Sequence, residues 1–137
     1  MRIILDTNII VSALVSSGGP ADAILRAGLA GRFDLVIHHM HLNELRDVTR
    51  RAKFRGQLRP STVGKLVNAM AMGPWLDVKL PNVLRSPDPN DDWLLALAEA
   101  ASADILVTGD KADLLALGKH GATRIITARQ IHKELGL

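Results

Sequence analysis

Four acidic residues occupy positions where an α/β sheet could gather them. Asp6 directly follows one short apolar run and Asp110 closely follows another. Glu44 lies in the first turns of the helix expected after the second strand, and Asp92 lies at the start of a later predicted helix. Ligands of α/β sheets bind outside the carboxyl ends of parallel strands. We therefore expect these four side chains to face one end of a sheet.

The chemistry of such a group is that of a hard divalent cation. Several carboxylates that converge without cationic partners repel one another unless a metal ion holds them together. A set of oxygen ligands without Cys or His suits Mg²⁺ or Mn²⁺. Such ions stabilise the charge that develops during in-line displacement at phosphorus, and they make a bound water more acidic. The pattern therefore indicates nuclease chemistry.

Each acidic residue also has a purely structural alternative. Asp92 is suited to capping a helix, and Asp6 and Asp110 are suited to turns at strand ends. Glu44 could form an ion pair with Arg46 or with another residue of the basic run that follows. It is the presence of all four acids together that favours a metal site over these alternatives.

The elements that would position these residues indicate an α/β fold with a central parallel sheet. Short branched aliphatic runs are typical of parallel strands that helices cover on both faces. We expect a three-layer domain in which helices flank the sheet, with a weaker edge strand at 75–78. The predicted strands are Ile3–Leu5, Leu35–Ile37, Ile105–Val107 and Arg124–Ile126.

Helix boundaries are marked by proline, glycine and capping residues. Pro20 and Pro60 are suited to the first turn of a helix, and Gly28 or Gly31 could end the first of these two helices. Thr127 followed by Gln130 has the spacing of a capping box for a last helix.

Composition places the chain among ordinary globular domains. It has 137 residues, of which 47% are hydrophobic, and it contains no cysteine, which excludes disulfides and cysteine-ligated zinc. An aspartate at position 6 comes too early for a signal peptide, and no apolar run is long enough to span a membrane. We expect a single domain over 1–137 and a cytoplasmic location.

Basic residues are concentrated in one segment. Residues 46–65 contain seven Lys or Arg and a single acid, a net charge of +6, whereas the whole chain carries +3. Such a run can be a solvated helix face, and it can also bind a polyanion such as RNA. The chain has no Tyr and two Phe, which argues against an aromatic platform on which bases stack.

The order and spacing of these features resemble the PIN-domain ribonucleases over nearly the whole chain. Within that family, they resemble the stand-alone proteins that act as toxins of bacterial type II toxin–antitoxin pairs. Four blocks carry the resemblance: Leu5–Ile9; Leu42–Leu45 followed by Lys53–Arg55; Asp88–Asp92 with Leu94–Ala98; and Ala103–Lys111 with Leu114–Leu117.

The resemblance implies a metal-dependent endonuclease that cleaves single-stranded RNA with Mg²⁺ or Mn²⁺. It also implies a homodimer and a cognate antitoxin protein that blocks the site. Carried over by position, the catalytic and metal-binding quartet is Asp6, Glu44, Asp92 and Asp110. The residues expected to support the quartet are Thr7, Asn8 and Thr108, and those expected to contact RNA phosphates are Arg46, Arg50, Arg51 and Lys53.

The sequence departs from the family pattern in two places. Asp113 lies one residue further along than the usual additional acid, and Asp91 is the alternative to Asp92 if the helix register shifts by one. The stretch 38–41 carries three histidines where the family often has a small hydroxyl residue before the helix. We interpret these histidines as polar loop residues or phosphate contacts rather than as a transition-metal site, and both tryptophans as packing residues.

Two other functions fit parts of the pattern. A non-catalytic RNA-binding or complex-forming module could retain the PIN fold, although it would not need an intact quartet. An aspartyl phosphotransferase could use Asp6 as its nucleophile, but its usual signature has a second aspartate two residues on, where Asn8 stands.

Overall fold

The computed structural model describes residues 1–51, 58–109 and 112–137, which form seven α-helices and five strands. Helices separate the parallel strands along the chain, as the apolar runs predicted. The strands are β1 Arg2–Leu5, β2 Asp34–Val36, β3 Ile105–Val107, β4 Lys119–His120 and β5 Thr123–Ile126. The helices are α1 Thr7–Val15, α2 Pro20–Leu29, α3 His39–Thr49, α4 Pro60–Met70, α5 Asp92–Ala101, α6 Leu114–Leu117 and α7 Ala128–Glu134, and a 3-10 helix, Pro89–Asp91, precedes α5.

The five strands form a mixed sheet in the order β2-β1-β3-β5-β4. The first four are parallel, which confirms the predicted parallel sheet for the strands that carry the site. β4 is antiparallel to β5, with Lys119 opposite Arg124 and His120 opposite Thr123. β4 was not predicted, because a strand of two residues has no detectable hydrophobic pattern.

Successive side chains of the sheet pack into two separate hydrophobic cores. Ile3 and Leu5 of β1 pack into a core formed with α1, α2, α3, α4 and α7. Ile4, between them, packs into a second core that contains residues of α5 and α6. Both faces of the sheet are therefore covered by helices, which confirms the three-layer α/β architecture and explains why the strand sequences are continuously apolar.

The weaker strand candidate at 75–78 was wrong. Residues 74–77 form turns, and the amide of Val78 donates to the carbonyl of Trp75 at 3.2 Å. The segment instead meets the start of α3, where the Leu76 carbonyl accepts a hydrogen bond from the His39 amide at 3.0 Å. Pro74 directly precedes residues 75–78. A proline has no backbone N–H to donate, so it cannot extend a hydrogen-bonded strand into this segment.

The helix starts agree with the sequence signals. Pro20 and Pro60 are the first residues of α2 and α4. Thr127 and Gln130 form the predicted capping box of α7, with the Gln130 amide donating to Thr127 Oγ1 at 3.2 Å. Among the described residues no single helix is long and apolar enough to cross a membrane; α1 and α2 pass that test of length and composition only as a pair bent by 107°.

Candidate active site

Asp6 sits where β1 ends and α1 begins. The residue is 5% exposed, and its carboxylate is held from two directions. Oδ1 accepts from the backbone amide of Asn8 at 3.3 Å, and this bond caps α1. Oδ2 accepts from Thr108 Oγ1 at 2.9 Å. Thr108 follows β3 and is fully buried, so the two neighbouring strands together fix the orientation of the Asp6 carboxylate.

Glu44 projects from α3 toward the same end of the sheet. Burial raises the pKa of its carboxyl group, and the negative charge of Asp6 raises it further. The Thr7 hydroxyl, the Trp93 indole and the charge of Arg51 act in the opposite direction. Trp93 Nε1 donates to Glu44 Oε1 at 3.1 Å. Because Glu44 responds to the charge on Asp6, these two predicted site residues lie near one another.

Thr7 lies beside both acids and carries a buried hydroxyl. The side chain follows Asp6 in sequence, is 2% exposed and lies near enough to Glu44 to lower its pKa. Its Oγ1 nevertheless has no partner of full hydrogen-bond geometry in the part of the chain that the structure describes. A buried oxygen of this kind favours a further polar ligand at this place, because burial without a partner is costly.

The histidine stretch forms the cap of α3. His38 Nδ1 accepts from the Met40 amide at 3.2 Å, and His41 Nδ1 accepts from the His38 amide at 3.0 Å. The second bond belongs to a capping box, in which the imidazoles of His38 and His41 each accept from the other residue's backbone. This explains how the chain dispenses with the small hydroxyl residue that the family often places before this helix. His39 is exposed and pairs with Asp77 at 2.6 Å.

His41 also connects α3 to the end of β1. The side chain is fully buried, and Nε2 lies 2.8 Å from the carbonyl oxygen of Leu5, the residue before Asp6. Burial lowers the pKa of His41 to about 4, so the ring is neutral at neutral pH. Since Nδ1 accepts from His38, the remaining proton is on Nε2 and is donated to Leu5. The ring also meets Trp93 edge to face, with centroids 4.8 Å apart.

A second acidic group lies at the start of α5. One carboxylate oxygen from each of Asp88, Asp91 and Asp113 lies within 4.8 Å of the others, and all three residues are partly buried. Asp88 caps the 3-10 helix by accepting from the Asn90 amide at 3.0 Å. The fold thus brings together the two residues whose membership the sequence left open, together with Asp88.

The carboxylate of Asp92 contacts backbone amides, whereas that of Asp91 lies among the grouped carboxylates. Asp92 is 8% exposed, and its Oδ1 accepts from the backbone amides of Arg85 at 3.1 Å and Ser86 at 2.7 Å. These bonds hold the loop that leads to Asp88. Asp92 stays a predicted metal ligand, while the geometry of the acidic group favours its neighbour Asp91.

The remaining predicted site residues fall into two sets. Asp110 and Lys53 lie outside the described residues. Arg46, Arg50 and Arg51 are exposed along and just after the last turn of α3, and Asn8 is exposed in the first turn of α1. The basic run therefore begins on the same helix that carries Glu44.

The family of this chain is shown by its match to a family model. A family model described as a PIN domain matches residues 2–112, most of the chain. The chain belongs to the PIN-domain family. No curated protein matches it. PIN domains are typically metal-dependent nucleases, so family membership points to nuclease activity and to divalent metal binding in this domain.

The residues of this PIN domain fit a hard divalent cation. The donors at the start of α5 are carboxylate oxygens spaced closely enough to share one ion. At the end of β1, Asp6, Glu44 and the Thr7 hydroxyl offer a further group of oxygens. Mg²⁺ and Mn²⁺ prefer such donors.

The polar roles of two residues at this site were not predicted from the sequence. Trp93 was interpreted as a packing residue, and His41 as a polar loop residue or a phosphate contact. Trp93 contacts Glu44 from 49 positions away, and His41 contacts Leu5 from 36 positions away. No local pattern encodes contacts of that separation. The departure from the family pattern at 38–41 was the one available signal.

Proposed function

We propose that this PIN domain is an endoribonuclease that cleaves single-stranded RNA with Mg²⁺ or Mn²⁺, and that it is the toxin of a toxin–antitoxin pair. The observation that carries the nuclease proposal is the grouping of carboxylates, without His or Cys ligands, at the start of α5 in a PIN fold. The toxin role, a cognate antitoxin, a homodimer and a cytoplasmic location are supported by the resemblance described above.

Asp88, Asp91 and Asp113 would hold the ion, with Asp6, Glu44 and Asp110 as the other proposed ligands and Asp92 as the alternative to Asp91. A bound divalent ion would stabilise charge on the phosphate and lower the pKa of a coordinated water. Neighbouring groups of the protein would orient these ligands. The Thr108 hydroxyl and the Asn8 backbone amide hold the Asp6 carboxylate, and the Trp93 indole holds that of Glu44.

Binding of RNA is assigned to the basic segment. Arg46, Arg50 and Arg51 are exposed and follow Glu44 on or just after α3, and Lys53 continues the run in sequence. The charge of Arg51 lowers the pKa of Glu44, so positive charge extends to the acidic residues themselves. Contacts of these residues with phosphates would position RNA without reading its sequence.

The metal requirement tests the nuclease proposal. Purified protein should cleave single-stranded RNA with Mg²⁺ or Mn²⁺, stop with EDTA and resume when Mn²⁺ is restored in excess. Cleavage that persists in EDTA would overturn the metal mechanism. RNA binding without cleavage under every metal condition would support the non-catalytic binding module instead. Single- and double-stranded substrates of the same sequence, assayed in parallel, test the substrate class.

The salt dependence of RNA binding tests the role of the arginines. Each phosphate contact on a single strand contributes about 0.7 to the slope of log affinity against log salt. Arg50→Ala combined with Arg51→Ala should therefore reduce the slope by about 1.4, equally for unrelated RNA sequences. The matched control is Arg32→Ala with Arg129→Ala, which removes two exposed arginines outside the basic segment. A slope that is equal in both double variants would make the segment a solvated helix face.

A further inference from the structure

Trp93 ties the start of α5 to the acidic residue of α3. Its indole Nε1 donates to Glu44 Oε1 at 3.1 Å, and it immediately follows Asp92 on the same helix. An indole has one donor and no acceptor, so this bond has a defined direction. Glu44 is thereby held by a rigid side chain that cannot itself bind a metal ion.

His41 supports Trp93 from behind. The two rings meet edge to face, with centroids 4.8 Å apart and planes at 88°. The His41 ring cannot rotate freely, since one nitrogen accepts from the His38 amide and the other donates to the Leu5 carbonyl. The Leu5 carbonyl belongs to the residue before Asp6. A continuous series of contacts therefore runs from the backbone at Asp6, through His41 and Trp93, to the Glu44 carboxylate.

We propose that Trp93, supported by His41, is a positioning residue that sets the Glu44 carboxylate relative to Asp6 and thereby strengthens divalent metal binding. This inference rests on the proposed function, because it takes Glu44 as a metal ligand. Neither ring is assigned contact with RNA or with the ion. Their effect on the metal is transmitted through the orientation of a ligand, in the way that partners of metal ligands commonly act.

The expected size of the effect follows from other metal sites. Loss of a hydrogen-bond partner of a ligand typically lowers metal affinity by about 10–100-fold. Trp93→Phe removes the N–H donor and keeps an aromatic ring beside His41. We expect Mn²⁺ affinity to fall by about 10–100-fold, while the melting temperature of the metal-free protein changes little. The matched control is Trp75→Phe, the same substitution at the other tryptophan. The Trp75 ring contacts Arg2 instead of Glu44, with its centroid 5.4 Å from the guanidinium carbon.

Affinity is measured from the electron paramagnetic resonance signal of free Mn²⁺, which needs no RNA and no activity. Wild type, Trp93→Phe, Trp75→Phe and Glu44→Gln are titrated side by side. We expect Trp93→Phe and Glu44→Gln to bind more weakly and Trp75→Phe to match wild type. Excess Mn²⁺ should restore cleavage in Trp93→Phe, since the variant lowers occupancy and leaves the ligands intact. Equal affinities in wild type and Trp93→Phe would overturn the proposal.

The metal-free protein supplies an independent measurement. The Trp93 indole N–H gives its own signal in a proton–nitrogen correlation spectrum, assigned by its loss in Trp93→Phe. Glu44→Gln and His41→Gln should both shift this signal. An unshifted signal in Glu44→Gln would overturn the positioning contact, and one in His41→Gln would remove His41 from it. If the signal shifts but wild type binds no Mn²⁺, the proposed function fails and the metal part of this inference fails with it, while the contact stands.

Discussion

Asp91→Asn is expected to lower RNA cleavage by at least about 10³-fold, because a catalytic metal ion contributes several kcal/mol of transition-state stabilisation. The change keeps the shape of the side chain and removes the charge from one of the three carboxylates grouped at the start of α5. Cleavage rates are measured at saturating Mg²⁺, and Mn²⁺ binding is measured in parallel. We expect both to fall, with the fold itself unchanged.

The neighbouring residue provides the matched control. Asp92→Asn retains an oxygen that can accept from the Arg85 and Ser86 amides, so the loop should hold. Cleavage should fall by no more than about 10–100-fold, as for loss of a supporting contact, which is less than the loss expected for Asp91→Asn. Asp92→Ala leaves those two amides without their acceptor and should cost about 2 kcal/mol of unfolding free energy. If Asp92→Asn abolishes cleavage and Asp91→Asn does not, Asp92 is the ligand and the geometric preference for Asp91 is wrong.

The ambiguity between Asp91 and Asp92 shows where sequence reasoning stops. Both are acids at the start of one helix, and a shift of one residue turns a helical side chain by about 100°. Periodicity fixed the existence of α5 but not which acid faces Asp88 and Asp113. The 3-10 helix that precedes α5 sets that rotation, and its three residues are too few to predict from spacing.

The layers of the fold were predictable for a different reason. Continuous apolar runs such as Ile3–Leu5 need cover on both faces, and only alternating helices supply it within one parallel sheet. The position of Asp6 at the end of β1 followed from the same run. Its bond to Thr108 did not, because pairing between β1 and β3 joins residues 102 positions apart. Strand order is a tertiary property that the local sequence leaves open.

His41, in the first turn of α3, is expected to lower the unfolding free energy of the protein at acidic pH. Burial lowers the pKa of His41 from 6.5 to about 4, with the nearby His38 contributing in the same direction. Between these two pH values the unfolded chain binds a proton that the folded protein excludes. Stability is therefore complete above pH 6.5 and decreases as pH falls toward about 4. The shift corresponds to about 3 kcal/mol of unfolding free energy.

His41→Gln should remove this pH dependence, because an amide does not titrate in this range and can still donate to the Leu5 carbonyl. Unfolding free energies of wild type and His41→Gln are measured by urea denaturation from pH 7.5 to 4. We expect the difference between them to change by about 3 kcal/mol in favour of the variant as pH falls. His39→Gln is the control, since His39 is exposed and directly follows His38 at the same cap. This variant should keep the pH dependence of the wild type. A constant difference between wild type and His41→Gln would mean that folded and unfolded His41 bind a proton equally well, and the lowered pKa of the buried ring would be wrong.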